Sequence, residues 1–400
     1  MRRATRWGIL AALTAAAVAI AALAGSTGSH AAPTAKKKVV IGWAYDKAGQ
    51  MAPFDDPALA AAKIRVKQIN AKSKKYHFVI TTCDTQNNDG AKAKACALSL
   101  LGKHANIIFT TCDVDYATPV VQEAISHGKL AVAPCIGTDQ MGPRRFGKKG
   151  KLAFSFGNVA EDEGSAMAEY AWSKHWKTAG LATNTLLVYF KNVVQAFDIR
   201  FRALGGKIVD RESYQTGNND VGTAVSHLNS HKAAVYVTST SFGELPAFVS
   251  GFRSLHNKTP ILNSWAGDGT YWLPKNPKVT NYYFVTFASV FGDDPDPAVR
   301  AMIASLKAAG AAPGTGGFLG GADAIDGVYT AIQRAHGSLK GSALAAKMVK
   351  FHQVPVLGSK VSFSTKWHTV FGRQYRVIEI NNNKAKRVGL VTAKVLPNIH

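Results

Sequence analysis

Acidic residues are scarce in this chain. Twenty-five Asp and Glu stand against 48 Lys and Arg, a formal net charge of +23 over 400 residues. Such an excess calls for an anionic partner, and nucleic acid is the first to consider. The basic residues are dispersed, however, in short runs such as Lys72-Ser73-Lys74-Lys75 and Lys148-Lys149-Gly150-Lys151 with no interleaved aromatic motif, so nucleic acid is not expected. Catalytic signatures are also missing. There is no G-x-S-x-G elbow, no H-E-x-x-H and no phosphate-loop lysine motif, and the glycine-rich Gly314-Thr315-Gly316-Gly317 follows no strand-like run. The 12 histidines are scattered, none at metal spacing from a cysteine or carboxylate cluster, so neither metal nor cofactor is expected. Beyond the N-terminus no segment approaches the ~20 apolar residues of a membrane span. What remains is ordinary globular composition, 46% hydrophobic and 18% charged, with length for two cores.

Residues 1–32 read as an export signal. Arg2, Arg3 and Arg6 precede an uncharged run over residues 8–23, and Ser29-His30-Ala31 offers a small-x-small cleavage site, with an uncleaved anchor as the alternative. Leu23-Ala24-Gly25-Ser26 has serine where a lipidated cysteine would stand, which predicts an unlipidated mature terminus near Ala32. For an exported basic protein the expected anionic company is a cell-envelope surface, or solvent alone. Four cysteines in such a protein favour two disulfides, for which three pairings exist. Cys83 ends a strand and Cys96 lies on the next helix, while Cys112 and Cys135 end two successive strands. Local pairing, 83–96 and 112–135, is therefore expected.

From Val39 onward apolar runs alternate with helical patterns. Val39-Val40-Ile41-Gly42-Trp43-Ala44 is followed by Leu59, Ala62, Val66 and Ile69 at helical spacing, then by Phe78-Val79-Ile80. A helix over 91–101, the strand Ile107-Ile108-Phe109, a helix over 119–126 and the strand Leu130-Ala131-Val132-Ala133 continue the rhythm. It restarts after Phe156 with a strand at Leu186-Leu187-Val188-Tyr189-Phe190, a helix over 194–204, strands at Ile208-Val209, Ala234-Val235-Tyr236-Val237 and Ile261-Leu262, and helices over 221–228 and 245–255. Apolar strands joined by helical crossovers imply parallel sheets covered on both faces. The expected fold is α/β, with two doubly wound parallel-sheet lobes. Ligands of such sheets sit beyond the carboxyl ends of the strands. The polar turns Thr110-Thr111-Cys112-Asp113-Val114-Asp115-Tyr116 and Pro134-Cys135-Ile136-Gly137-Thr138 lie at two of these ends, although Asp115 or Thr118 there could equally serve to cap the helix that follows.

The stretch from Val39 to Arg387 resembles the type I periplasmic binding proteins, and within them the branched-chain-amino-acid-type (leucine-binding-protein-like) substrate-binding proteins of ABC importers. The resemblance rests on landmarks in order: Ile41-Gly42 leading to Ala48-Gly49-Gln50-Met51-Ala52-Pro53-Phe54; Cys83-Asp84-Thr85-Gln86; Ala133-Pro134-Cys135-Ile136-Gly137-Thr138; Leu204-Gly205-Gly206-Lys207-Ile208-Val209; and Gly292-Asp293-Asp294-Pro295-Asp296-Pro297. It implies a three-segment hinge near residues 154–157, 286–289 and 356–362, with Gly157 and Ser289 beside it. One lobe would comprise 36–156 and 288–355, the other 157–287 and 356–395. It implies a non-enzymatic role: a small polar solute, an amino acid or related amide or organic acid, is captured between the lobes and handed to a membrane permease. The alternatives are a ligand-sensing module for a receptor and a hydrolase or amidase on a related fold. By the same resemblance the first-lobe contacts are Phe54, Asp113, Val114, Asp115, Tyr116, Ile136, Gly137 and Thr138. The second-lobe contacts are Asn192, Phe242, Trp265 and Asp268. Val193-Val194 stands where an aromatic is common, and Trp265 where an acid often pairs the ligand ammonium. That charge partner would fall to Asp113, Asp115 or Asp268.

Overall fold

The computed structural model describes residues 35–400 apart from 216, 218 and 219, so the expected export signal, its expected cleavage site and Ser26 lie outside the described residues. The first half alternates strand and helix: β1 (Lys37–Tyr45), α1 (Ala52–Lys72), β2 (Tyr76–Asp84), α2 (Gly90–Gly102), β3 (Ile107–Phe109), α3 (Val114–Ser126), β4 (Leu130–Ala133), a one-turn α4 (Pro143–Phe146) and β5 (Ala153–Asn158). The second lobe follows with α5 (Ala160–Ser173), β6 (Thr178–Asn184), α6 (Val188–Ala203), β7 (Lys207–Tyr214), α7 (Val221–Ser230), β8 (Val235–Ser239), α8 (Glu244–Ser254), β9 (Ile261–Asn263) and β10 (Tyr282–Thr286). The chain then returns with α9 (Pro297–Ala308), α10 (Phe318–Arg334), α11 (Gly341–Met348), the hairpin β11 (Val354–Val356) and β12 (Ser359–Val361), and β13 (Thr369–Val370). It ends with β14 (Tyr375–Asn381) and β15 (Lys384–Val391).

Six strands form the first sheet in the order β13-β5-β4-β3-β1-β2, all parallel, and seven form the second in the order β15-β14-β10-β9-β8-β6-β7. In the second, β14 runs antiparallel to β10 and β15 antiparallel to β14, so its parallel core carries an antiparallel edge. The central strands are buried on both faces, as β3, β4 and β8 show. Two disulfides are present, Cys83–Cys96 and Cys112–Cys135; the second ties the loops that follow β3 and β4.

Four local expectations are corrected. Leu186–Phe190 is not a strand, because the first strand of the second sheet is β6, paired with β7 and β8. Its sequence, Thr-Ala-Gly-Leu-Ala-Thr-Asn, carries little hydrophobic signal because neighbours fill the space: a Cβ on Gly180 would stand 2.9 Å from the Tyr236 ring. Helix α5 was not anticipated, since it is buried on nearly every side, Glu161, Asp162 and Glu163 included, and so shows no amphipathic period. Helix α3 starts at Val114 rather than near Pro119, which moves Val114, Asp115 and Tyr116 from loop to first helical turn. The third passage between sheets falls at residues 371–374, not at 356–362. Thr369 and Val370 still pair with β5, and Phe363 packs on Phe154 and Phe156, so Val361-Ser362-Phe363 stays with the first sheet.

Candidate ligand-binding site

The carboxyl ends of both sheets face one another, and the loops there meet. Asp113 caps α3: its Oδ1 accepts the backbone N–H groups of Asp115 at 2.8 Å and Tyr116 at 3.3 Å. Neither Asp115 nor Thr118 is the cap. The Thr118 hydroxyl donates to Val114 O at 2.8 Å, within the helix. Asp115 is thereby free to reach across. Its Oδ2 accepts the Val188 N–H, in the first turn of α6, at 3.0 Å, and its Oδ1 accepts Arg145 Nη1 at 2.8 Å. A carboxylate at a helix N-terminus is favoured by the free N–H groups and the helix dipole.

Aromatic groups from both lobes form the inner wall. Phe54 on α1 meets Trp265 edge-on at 4.9 Å between ring centres, and Trp265 stacks on Phe287 at 5.2 Å. Tyr189 and Phe190, in the first turn of α6, and Phe242, after β8, complete it. Glu163 holds two of these pieces in place: Oε1 accepts the Trp265 backbone N–H at 2.5 Å and Oε2 accepts the Tyr189 hydroxyl at 2.9 Å. The space enclosed by Phe54, Asp113, Tyr189, Phe190, Phe242 and Trp265 is only about 20 Å³, room for about one water. It adjoins an open cleft of about 800 Å³ bordered by Gln50, Pro53, Asp84, Asn87, Phe242 and Tyr271. Admitting a solute of amino-acid size to the inner space therefore requires the lobes to part.

The anticipated residues divide by role. Phe54, Asp113, Phe242 and Trp265 converge on the inner space, and the Tyr116 hydroxyl donates to Gln50 Oε1 at 3.3 Å at the cleft margin. Gly137 lies so close to the second lobe that a Cβ there would stand 2.6 Å from the Tyr189 ring. Asn192 Nδ2 donates to Thr138 Oγ1 at 3.4 Å across the same seam. Val114 and Ile136 are fully buried. Asp268 is engaged elsewhere, accepting the Thr286 hydroxyl and the Gly316 N–H, each at 2.6 Å. Sequence reading missed Tyr189, Phe190, Leu187 and Glu163. The signal was present: with β6 ending at Asn184, the aromatics that follow the first strand of the second lobe are Tyr189 and Phe190, upstream of Val193-Val194.

The sequence profile of the periplasmic binding proteins matches residues 38–386. The chain belongs to that family. Among solved structures, a leucine-binding protein from Thermotoga maritima superposes with a TM-score of 0.76 at 16% identity, over 88% of this chain and 98% of its own. The branched-chain amino acid transporter substrate-binding protein of Streptococcus pneumoniae, in complex with isoleucine, gives 0.76 at 18% identity over 89% and 100%. A solute-binding protein of an ABC transporter from R. palustris, in complex with 4-hydroxybenzoate, gives 0.77 at 17% identity over 90% and 98%. At these identities the likeness establishes the fold: two α/β lobes and a three-segment hinge. Comparison with curated proteins finds no match. Among the described residues no helix is long and apolar enough to cross a membrane.

Two buried acids of this periplasmic binding protein, Asp113 and Asp268, are shifted upward. Burial pushes Asp113 up to about 7, with Asp115 adding to the shift and the N–H groups it caps opposing it; burial likewise pushes Asp268 up to about 7. An acid whose folded pKa exceeds its unfolded value of 3.8 binds its proton more tightly in the native state. Stability should therefore decline as pH rises from about 4 to about 7, then level off. Asp113→Asn keeps an oxygen for the cap and removes the ionisation. Its melting temperature is expected to vary less than wild type's between pH 5 and 8, and an unchanged pH profile would show that Asp113 is ionised throughout.

Proposed function

We propose that the protein is an extracytoplasmic solute-binding protein that captures a small polar solute, an amino acid or related amide or organic acid, between its lobes. It presents the closed form to the permease of an ABC importer and performs no chemistry on the solute. Its basic surface faces the anionic cell envelope. The observation that carries this reading is the pairing of groups from opposite lobes at one seam: Phe54 with Trp265, Asp115 with the N-terminus of α6, and Thr138 with Asn192. These contacts exist only when the lobes are shut, so they bias the equilibrium towards the closed form that encloses a solute. The residues bordering the inner space include no lysine or arginine among those described, and five of them are aromatic. That lining favours a solute with an apolar or aromatic body, held at its polar end by backbone and hydroxyl groups such as Ser241.

Thermal-shift screening of branched-chain and aromatic amino acids, their amides and hydroxybenzoates tests the assignment. A true ligand at ~100 times its Kd adds about 2.7 kcal/mol of stability. Calorimetry showing no binding of any of these classes would overturn it. The Asp115→Ala variant separates capture from folding. Because Asp113 caps α3, apo stability is expected to change by under ~1 kcal/mol, while loss of the cross-lobe bond weakens affinity for the screened ligand about tenfold, or ~1.4 kcal/mol. Unchanged affinity would remove Asp115 from the closing mechanism.

A further inference from the structure

Away from the cradle, three ligand-type side chains far apart in sequence meet. Asp139 lies in the loop after β4, Glu161 in the first turn of α5, and His400 beyond β15. His400 Nε2 stands 3.2 Å from Asp139 Oδ2 and 3.5 Å from Glu161 Oε1, and one donor atom from each of the three residues falls within 4.8 Å of the others. Glu161 is 1% exposed, and neither of its carboxylate oxygens has a hydrogen-bond partner; Asp139 Oδ1 is likewise buried and unpartnered. A buried carboxylate without donors is costly unless another positive group satisfies it. The segment carrying His400 is itself docked: Ile399 is buried, and its carbonyl accepts Gln195 Nε2 at 3.0 Å.

We propose that Asp139, Glu161 and His400 form a binding site for one divalent transition cation, with Zn²⁺ the best match. One imidazole and two carboxylates are a borderline ligand set, suited to Zn²⁺ and Co²⁺ rather than to Ca²⁺ or Mg²⁺. Bonds of about 2.0–2.2 Å at tetrahedral angles place neighbouring donors roughly 3.3–3.6 Å apart. His400 Nε2 stands 3.2 Å and 3.5 Å from the two carboxylates, close to that spacing, and the Asp139 and Glu161 donors, within 4.8 Å of one another, draw together on binding. The imidazole lies between the two acids; the ion sits among the three donors and recruits the idle oxygens of Glu161. The His400 side chain is 29% exposed, which leaves solvent access and an open coordination position. Arg144 Nη1 sits 2.6 Å from Asp139 Oδ2 and competes with the cation, but its side chain is 39% exposed and can swing into solvent. The other histidines paired to an acid, His127, His227 and His231, have one carboxylate each and are half exposed, so they are weaker sites. Linear spacing could not reveal this cluster, because its members are 22 and 239 residues apart in sequence.

The test titrates Zn²⁺, and separately Co²⁺, into the untagged full chain after chelator treatment and dialysis, by calorimetry and visible absorption. One equivalent should bind with a Kd of roughly 1–10 µM. Co²⁺ should develop the visible absorption of a four-coordinate site. His400→Ala, on an exposed side chain that the fold does not need, should weaken binding at least tenfold and abolish the Co²⁺ band. Glu161→Gln should do the same, and Arg144→Ala should tighten binding. Wild type that fails to bind below millimolar Zn²⁺, or His400→Ala that binds as wild type does, overturns the site.

Discussion

Replacing Asp294 with alanine is expected to lower stability by about 3–5 kcal/mol, the loss that follows when one member of a buried ion pair is left alone. Arg376, at the start of β14, is 4% exposed, and its Nε and Nη2 donate to Asp294 Oδ2 at 2.9 Å and Oδ1 at 3.0 Å. The same carboxylate accepts the Ser289 N–H at 2.7 Å and the Asp296 N–H at 2.9 Å, so its removal orphans four donors. The pair joins two of the three connections between the lobes: Ser289 follows β10, and Arg376 lies just after the passage at residues 371–374. Its effect should resist salt, because buried charges are poorly screened. Equilibrium unfolding in urea at low and high salt checks both points. A loss under about 1 kcal/mol would mean that the guanidinium finds water, and that the pair does not hold the hinge together. This acid belongs to the run Asp293-Asp294-Pro295-Asp296, of which Asp296 caps α9 by accepting the Ala298 N–H at 2.8 Å.

Trp265→Ala is the second large effect, with a stability loss of about 3–5 kcal/mol expected for emptying a packed aromatic site. The indole is 4% exposed, stacked on Phe287, edge-on to Phe54, and so close to Gly317 that a Cβ there would stand 2.7 Å from Cζ2. The family resemblance offers this residue as a ligand contact; its packing makes it part of the core as well. Trp265→Phe separates the two roles. It retains an aromatic face towards Phe287 and should lose under ~1.5 kcal/mol, while the smaller ring weakens solute affinity about tenfold. Urea unfolding of both variants and calorimetry of the phenylalanine variant with the screened ligand provide the measurements. An alanine variant as stable as wild type would show that Trp265 is not part of the core.

Much of the architecture was legible because it depends on local pattern. Apolar runs such as Ile107-Ile108-Phe109 and Leu130-Ala131-Val132-Ala133, alternating with helix-spaced Leu59, Ala62, Val66 and Ile69, demand parallel strands covered by helices whatever lies elsewhere. Cysteine count and charge likewise needed no coordinates. The misread elements are those whose character is set by neighbours. β6 is assembled from small residues because Tyr236 and Leu228 occupy the space beside it, and α5 carries buried acids such as Asp162 and Glu163 whose donors, Asn158 and Gly372 for the first and Tyr189 and Trp265 for the second, come from other segments.

The sequence by itself determined an α/β chain of two lobes with polar turns at the carboxyl ends of its strands. Only the tertiary structure decided which turn residues cap and which reach across. Asp113 and Asp115 are two residues apart and chemically identical, but the first is consumed by the N–H groups of its own helix while the second meets the N-terminus of α6. The same holds for Tyr189, Arg376 and His400, whose partners lie 26, 82 and 261 residues away at Glu163, Asp294 and Asp139. Periodicity reports which face of an element is buried; it carries no information about which distant donor meets which acceptor, because that pairing depends on how the two sheets come together.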